Sequence, residues 1–390
     1  MTNKTQEVSP SLIFPHTGSA HASDKHTRYF PMPNTSDSAL LSDILSLFRN
    51  GLMPDRTGLA RIIDAASAPG EAGATLRAAL FDAARERAQS VFGKRIYIRG
   101  LIEFTSFCRN DCLYCGLRRS NRHAARYRLA TEDILACCAR GHDLGFRTFV
   151  LQGGEDAFFT DDRIVELICA IKSRWPDSAL TLSIGERSAE SYRRFREAGA
   201  DRYLLRHESA NPAHYARLHP PAQTFAERRR CLYALKEAGF QTGAGMMVGT
   251  PWQTTGDLVE DLCFLHELQP EMVGIGPFIP HHDTPFAQAP AGSVEQTLVM
   301  LALTRLMLPR TLLPATTALG TAADDGRERG ILTGANVIMP NLSPPDSQKK
   351  YMLYDNKRSD GDEAAENLRS IEKRIAATGY EIAIDRGDWK

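Results

Sequence analysis

In Ile96-Tyr-Ile-Arg-Gly-Leu-Ile-Glu-Phe-Thr-Ser-Phe-Cys108-Arg-Asn-Asp-Cys112-Leu-Tyr-Cys115 a largely apolar run passes straight into a loop carrying three cysteines. The run from Ile96 to Phe104 reads as a strand, and it opens a regular alternation. Further candidate strands are Thr148–Gln152, Ala179–Ile184, Arg202–Arg206, Thr242–Val248, Met272–Gly276, Leu312–Thr316 and Asn336–Met339. Helical periodicity fills the intervals, as in Thr131–Leu144, Asp162–Arg174, Ala189–Ala198, Phe225–Ala238 and Asp257–Leu268. Three of these helices close on Gly145, Gly199 and Gly239, the residue type that a helix C-terminus favours. Eight strands alternating with helices predict a complete (β/α)8 barrel of the TIM type, spanning 96–341. No Gly-x-Gly-x-x-Gly follows the first strand, so an open dinucleotide-binding sheet loses its main support.

Active sites of such barrels lie at the C-terminal ends of the strands, and the cysteine loop leaves one of those ends. A tight loop with thiols at 108, 112 and 115 offers three ligands to a four-iron cubane and leaves the fourth iron open. A structural zinc site needs four protein ligands, commonly from two hooks, and no second hook exists; His123 lies eight residues past Cys115. Cys137, Cys138, Cys169, Cys231 and Cys263 are scattered through apolar helical patterns and read as small buried hydrophobes. The Cys-x3-Cys-x2-Cys spacing, with an aromatic before the last cysteine, resembles the radical S-adenosylmethionine (SAM) superfamily. That resemblance implies a [4Fe–4S] cluster on Cys108, Cys112 and Cys115 and SAM chelated to its fourth iron.

Other strand ends carry polar groups suited to a ligand. Gln152-Gly153-Gly154-Glu155 closes the second strand, where glycines let the backbone approach a ligand closely. Thr181 and Ser183 alternate on the third strand and share a face. The fourth ends in Arg206-His207-Glu208, charges that must pair or meet a ligand if buried. Arg228, in Thr224-Phe-Ala-Glu-Arg228, reads on spacing alone as a solvated helix face. His281, His282 and Asp283 sit in a proline-rich loop; neighbouring histidines in extended chain point apart, which favours a loop role over chelation.

With these segments assembled, the chain from about Ser38 to Asn341 resembles the HydE family of radical-SAM [FeFe] hydrogenase maturases. The resemblance is carried by Ile102-Glu-Phe, Cys108 to Asn121, Val150-Leu-Gln152, Gly199 to Glu208, Thr242-Gly-Ala-Gly-Met, Met272 to Pro280 and Pro314-Ala-Thr-Thr-Ala. It implies SAM contacts at Gly153, Gly154, Glu155, Glu208 and Arg228, and a cavity lined by Gln152, Thr181 and Ser183. It further implies that Arg206 holds an anionic substrate, a cysteine-bound Fe(CO)2(CN) species attacked at sulfur by a 5′-deoxyadenosyl radical. Other hydrogenase maturation proteins and an external electron donor are the implied partners. Some members carry a second cluster on C-terminal cysteines, but residues 264 to 390 contain none, so a single cluster is expected. Many members also have Ser-Gly-Glu-Asp where this chain has Gly153-Gly-Glu-Asp156, which removes one hydroxyl contact. Methylornithine synthase of pyrrolysine biosynthesis is the neighbouring enzymatic reading, and a non-catalytic iron–sulfur or zinc scaffold is the reading from another class.

Outside the barrel, residues 1–36 are rich in Ser, Thr, Pro, His and Asn and read as a flexible extension. Residues 37–95 form a helical lead-in covering one end of the barrel, and 342–390 a C-terminal helical segment closing it. Tyr351 and Tyr354 belong at the barrel base or pack there. Lys+Arg and Asp+Glu both total 47, and this balance argues against bulk nucleic-acid binding. No apolar run reaches the roughly 18 residues of a membrane span; the longest, Leu298 to Leu313, is broken by Thr304, Arg305, Pro309 and Arg310. With no secretory signal pattern either, a cytoplasmic, reducing location is expected.

Overall fold

The computed structural model describes residues 29–358 and 367–389. Residues 1–28, most of the expected N-terminal extension, lie outside the described residues. Three lead-in helices, α1 (Asp37–Arg49), α2 (Arg56–Ser67) and α3 (Glu71–Phe92), precede the barrel. The expected first strand divides at Arg99 into β1 (Arg95–Ile98) and β2 (Gly100–Thr105). From β2 the chain adds β3 (Thr148–Gly153), β4 (Ala179–Ser183), β5 (Arg202–Leu204), β6 (Gln241–Val248) and β7 (Met272–Pro277), each parallel to its predecessor. Strands buried on both faces lack alternation, which is why Phe149-Val-Leu and Ala179-Leu-Thr-Leu read as continuous apolar runs.

The ring closes through thinner pairing. Val273 N donates to Leu312 O at 3.1 Å and Ala315 N to Val337 O at 2.9 Å, while β8 (Val337–Ile338) runs parallel to β1. The expected seventh strand thus survives as bridges at Leu312 and Pro314, because Pro314 has no N–H to give a ladder.

The helices begin where the sequence supplies caps. Thr160, Ser188, Thr224 and Ser293 accept backbone N–H bonds, and Thr254 forms a capping box with Asp257. The helix at Val294–Met307 is buried on all sides from Thr297 onward, since the lead-in helices cover the side that the barrel does not. The lead-in packs against this helix and against the helix at Thr255–Leu268. No helix among the described residues is long and apolar enough to cross a membrane.

The C-terminal chain visits both ends of the barrel. Residues 351–358 cross the top as a strap: Gly116 N donates to Leu353 O and Asp355 N to Pro280 O. The final strand β9 (Glu381–Ala383) then pairs with β1 at the bottom. Tyr351 and Tyr354 therefore face the cysteine end, not the base, where the sequence put them.

Candidate functional site

A cavity of about 340 Å3 opens at the C-terminal ends of the strands. Its wall includes Cys108, Cys112 and Cys115 together with Gln152, Gly153, Gly154, Glu155, Ser183, Arg206, Glu208 and Arg228. Residues spread over 121 positions of sequence meet there because each stands at or just beyond a strand end. Thr181 shares Ser183's face but lies a layer deeper, in a small space beneath the cavity bounded by Arg99, Leu204 and Gly274.

The cysteine loop is fixed by backbone and side chain alike. Arg126 reaches the carbonyls of Ser106, Leu117 and Arg118 at 2.5, 2.9 and 2.8 Å. Asp111 accepts from Arg118 at 2.8 Å and from the Ser120 hydroxyl at 2.6 Å. The Arg118 bond holds its carboxyl far below the ordinary range, so it stays ionised. A Cβ on Gly154 would stand 2.3 Å from Phe107 O and 2.7 Å from Cys108 Cβ, so only glycine lets the second strand end pass beneath the loop.

The thiols themselves are in an unusual state for surface-loop cysteines. Burial, and then the neighbouring thiols, push Cys112 well above its ordinary pKa; burial and Cys108 push Cys115 up to about 12. Burial likewise raises Cys108. Three thiols that oppose one another's ionisation suit a multi-iron cation that stabilises all three thiolates together. Among the described residues, the one set of three ligand atoms within 4.8 Å of each other is His281, His282 and Asp355. His123, the remaining zinc candidate, instead faces Asp283 at 2.9 Å.

Behind Cys112 lies a neutral polar layer. Its Sγ is 3.4 Å from Gln223 Oε1. His219 gives its Nδ1 proton to Tyr215 O at 2.9 Å, so Nε2 accepts from the Tyr114 hydroxyl at 3.2 Å. Burial lowers the His219 pKa to about 3, which keeps this imidazole uncharged beside the cysteines.

Glu208 takes a left-handed backbone, φ 65°, rare for a residue with a Cβ. The turn is held because Glu208 N donates to Gly245 O at 3.0 Å and Gly245 N donates to His207 Nδ1 at 3.2 Å. His207 Nε2 therefore carries the proton and donates to Asp261, both side chains being fully buried. The strained turn aims the Glu208 carboxylate inward, 3.1 Å from Arg206, yet Glu208 Oε2 and Arg206 Nε have no hydrogen-bond partner. Buried polar atoms without partners are costly unless a ligand meets them.

Arg228 is buried, not solvated. It donates to Glu186 Oε1 at 2.5 Å and to Arg206 O at 2.6 Å. The Glu155 carboxylate is already engaged by Arg109 Nε at 3.0 Å and Glu186 N at 2.9 Å, so it braces the loop more than it faces the cavity. His281 and His282 also differ from expectation: a turn at the loop stacks their rings 4.4 Å apart, and His282 binds Asp355 of the strap at 2.6 Å. Cys169 is exposed, whereas the other four scattered cysteines are buried.

Sequence reasoning missed Glu103, Glu186, Gln223 and Lys357. Glu103 had a signal, an acid inside the apolar run Leu101-Ile-Glu-Phe104. The others sit in irregular segments whose partners only the fold reveals.

Comparison with known proteins agrees with this geometry. The Radical SAM superfamily matches residues 102–265. The chain is 48% identical over 279 residues to the [FeFe] hydrogenase maturase subunit HydE of Thermotoga maritima, covering 72% of this chain and 79% of that protein. It is 28% identical over 309 residues to 3-methylornithine synthase of Methanosarcina acetivorans, covering 78% and 85% respectively. A crystal structure of methylornithine synthase superposes with a TM-score of 0.76 at 25% identity, covering 87% of this chain and 97% of that one.

Proposed function

The chain belongs to the HydE family within the radical SAM superfamily, and from that premise we propose how its residues serve hydrogenase maturation. The family implies a [4Fe–4S] cluster and SAM, which when bound supply reductive cleavage of SAM to a 5′-deoxyadenosyl radical. In our reading Cys108, Cys112 and Cys115 hold the only cluster. The unpartnered Glu208 carboxylate receives hydrogen-bond donors of SAM, while Arg228 receives its carboxylate. The backbone at Gly153 and Gly154 accepts from the SAM ammonium, with Glu155 holding that turn against the cluster loop.

Gln152, Thr181 and Ser183 line the volume beneath, and Arg206 anchors the anionic end of the substrate. That substrate is a small organometallic species, cysteine-bound Fe(CO)2(CN), attacked at sulfur. The strap and the neutral His219 layer exclude water from the reacting volume. An external electron donor and the other maturation proteins complete the system, and a chain whose eight cysteines form no disulfide suits a reducing cytoplasm.

One observation carries this reading: the three thiols share a cavity with the Arg206–Glu208 ion pair, whose Arg206 Nε and Glu208 Oε2 have no hydrogen-bond partner among the described residues. The 48% identity against 28% favours the maturase over methylornithine synthase. A cell-free mixture of apo-hydrogenase, the other maturation proteins and reductant tests it. Adding the reconstituted chain should restore hydrogen evolution. SAM cleavage without restored hydrogenase activity would reject the maturation role while keeping the enzyme class.

A further inference from the structure

The roles above leave one buried ion pair of the cavity unused. Glu103, in the middle of β2, is 0% exposed. Its Oε2 accepts from Asn341 Nδ2 at 2.9 Å, and its Oε1 lies 2.6 Å from Lys357 Nζ. The lysine arrives from the strap with its side chain 5% exposed and its Nζ 5.2 Å from the centre of the Tyr351 ring. Both residues line the same cavity as the cysteines and Arg206.

Charge here is balanced, but hydrogen bonding is not. An ammonium has three N–H donors, and Glu103 Oε1, 2.6 Å away, can take only one of them; the rest have no partner among the described residues. Leaving buried donors unmet is costly, as at Arg206. The two cations stand on different parts of the wall, Lys357 against β2 and Arg206 just after β5, three strands further round the ring.

We propose that Lys357 is a second anchor of the substrate cavity, selecting substrates with one anionic group for Arg206 and a second anionic or strongly accepting group for Lys357. The proposal rests on the reading that this cavity holds the substrate. Glu103 alone would make the β2 wall a site for an amine. Lys357 occupies that place with an ammonium of the chain's own and turns the wall toward acceptors. A diamino acid is thereby disfavoured, and a compound bearing a carboxylate and an anionic ligand at its other end is favoured.

The test uses the reconstituted holoenzyme with SAM, titrated calorimetrically with propionate, with the α,ω-dicarboxylates from malonate to adipate, and with 4-aminobutanoate. The best dicarboxylate should bind roughly tenfold or more tighter than propionate, the size of one charge-assisted hydrogen bond. Lys357→Gln should abolish that preference and instead favour 4-aminobutanoate, because Glu103 is uncovered; Lys357→Arg should keep it. If Lys357→Gln does not fold, the double variant Glu103→Gln/Lys357→Gln removes both charges and should show neither preference. A wild-type enzyme with no dicarboxylate preference, or either Gln variant retaining it, would overturn the second anchor. SAM cleavage by the same wild-type sample separates the outcomes: its loss indicts the functional reading, its presence without the preference indicts only Lys357.

Discussion

The Arg202 cluster at the bottom of the barrel and the ion pairs at its top handle buried charge differently, while Arg99 between them leaves Nε and Nη2 without partners among the described residues. At the bottom, Arg202 is fully buried and every donor group is met: Gln241 at 3.1 Å, Thr148 at 3.0 Å, and Arg386 O and Asp388 both at 2.7 Å. Arg386 links the same cluster to Asp201 at 2.8 Å. At the top, the Arg206–Glu208 and Glu103–Lys357 ion pairs are bonded only in part: Arg206 Nε, Glu208 Oε2, Glu103 Oε1 and Lys357 Nζ have no aligned hydrogen bond among the described residues. A saturated network stabilises a fold, and an unsaturated one stands ready for a ligand. The same chain, through its last forty residues, supplies a cation to one end and an anion to the other.

That contrast can be broken from either side. The largest effect is expected from Cys112→Ala: bound iron and 5′-deoxyadenosine should fall to background, while circular dichroism of the iron-free chain stays unchanged. Asp388→Ala attacks the bottom. It should cost about 2 kcal/mol in denaturant melts, less than a fully enclosed pair would because Asp388 is 37% exposed. Turnover per folded molecule should not change. Glu208→Gln should do the reverse, weakening SAM binding roughly tenfold by equilibrium titration while the melting temperature barely moves.

The smallest effects are in pH, and they run in opposite directions. Burial pushes the Asp388 carboxyl up, but Arg386 and Arg202 outweigh it and leave the pKa low. Its contribution is complete above the ordinary carboxylate pKa and is lost as pH falls through the depressed value. The hydrogen bond that His282 Nδ1 donates to the Asp355 carboxylate raises the His282 pKa. That contribution is complete below the ordinary imidazole value and fades as pH rises through the raised one. Hydrogen-exchange protection, with each rate taken relative to the intrinsic rate at that pH, should therefore fall at 381–389 in acid and at 351–358 in mild base. Strap protection that ignores pH would remove His282–Asp355 as its fastening.

Much of the barrel was legible because its signals are local. Strands buried on both faces give apolar runs, and Thr or Ser caps and Gly145, Gly199 and Gly239 mark the helix ends. The cysteine loop was legible for the same reason, with all three cysteines within eight residues. What escaped depends on long-range meetings. Arg228 looked solvated because its periodicity cannot report that Glu186 and the Arg206 carbonyl wait beneath it. Tyr351 and Lys357 lie in a segment without periodicity, and their place at the top follows from single bonds such as Gly116 N to Leu353 O. The split at Arg99 and the thin seventh strand show that pattern finds strands more reliably than it finds their continuity.

The central claim is that the unsaturated upper cavity, with Cys108, Cys112 and Cys115, cleaves SAM. Anaerobically reconstituted protein should bind about four irons, show a reduced-cluster EPR signal that SAM perturbs, and release 5′-deoxyadenosine with dithionite. A protein that binds iron but shows neither the perturbation nor the nucleoside would contradict it.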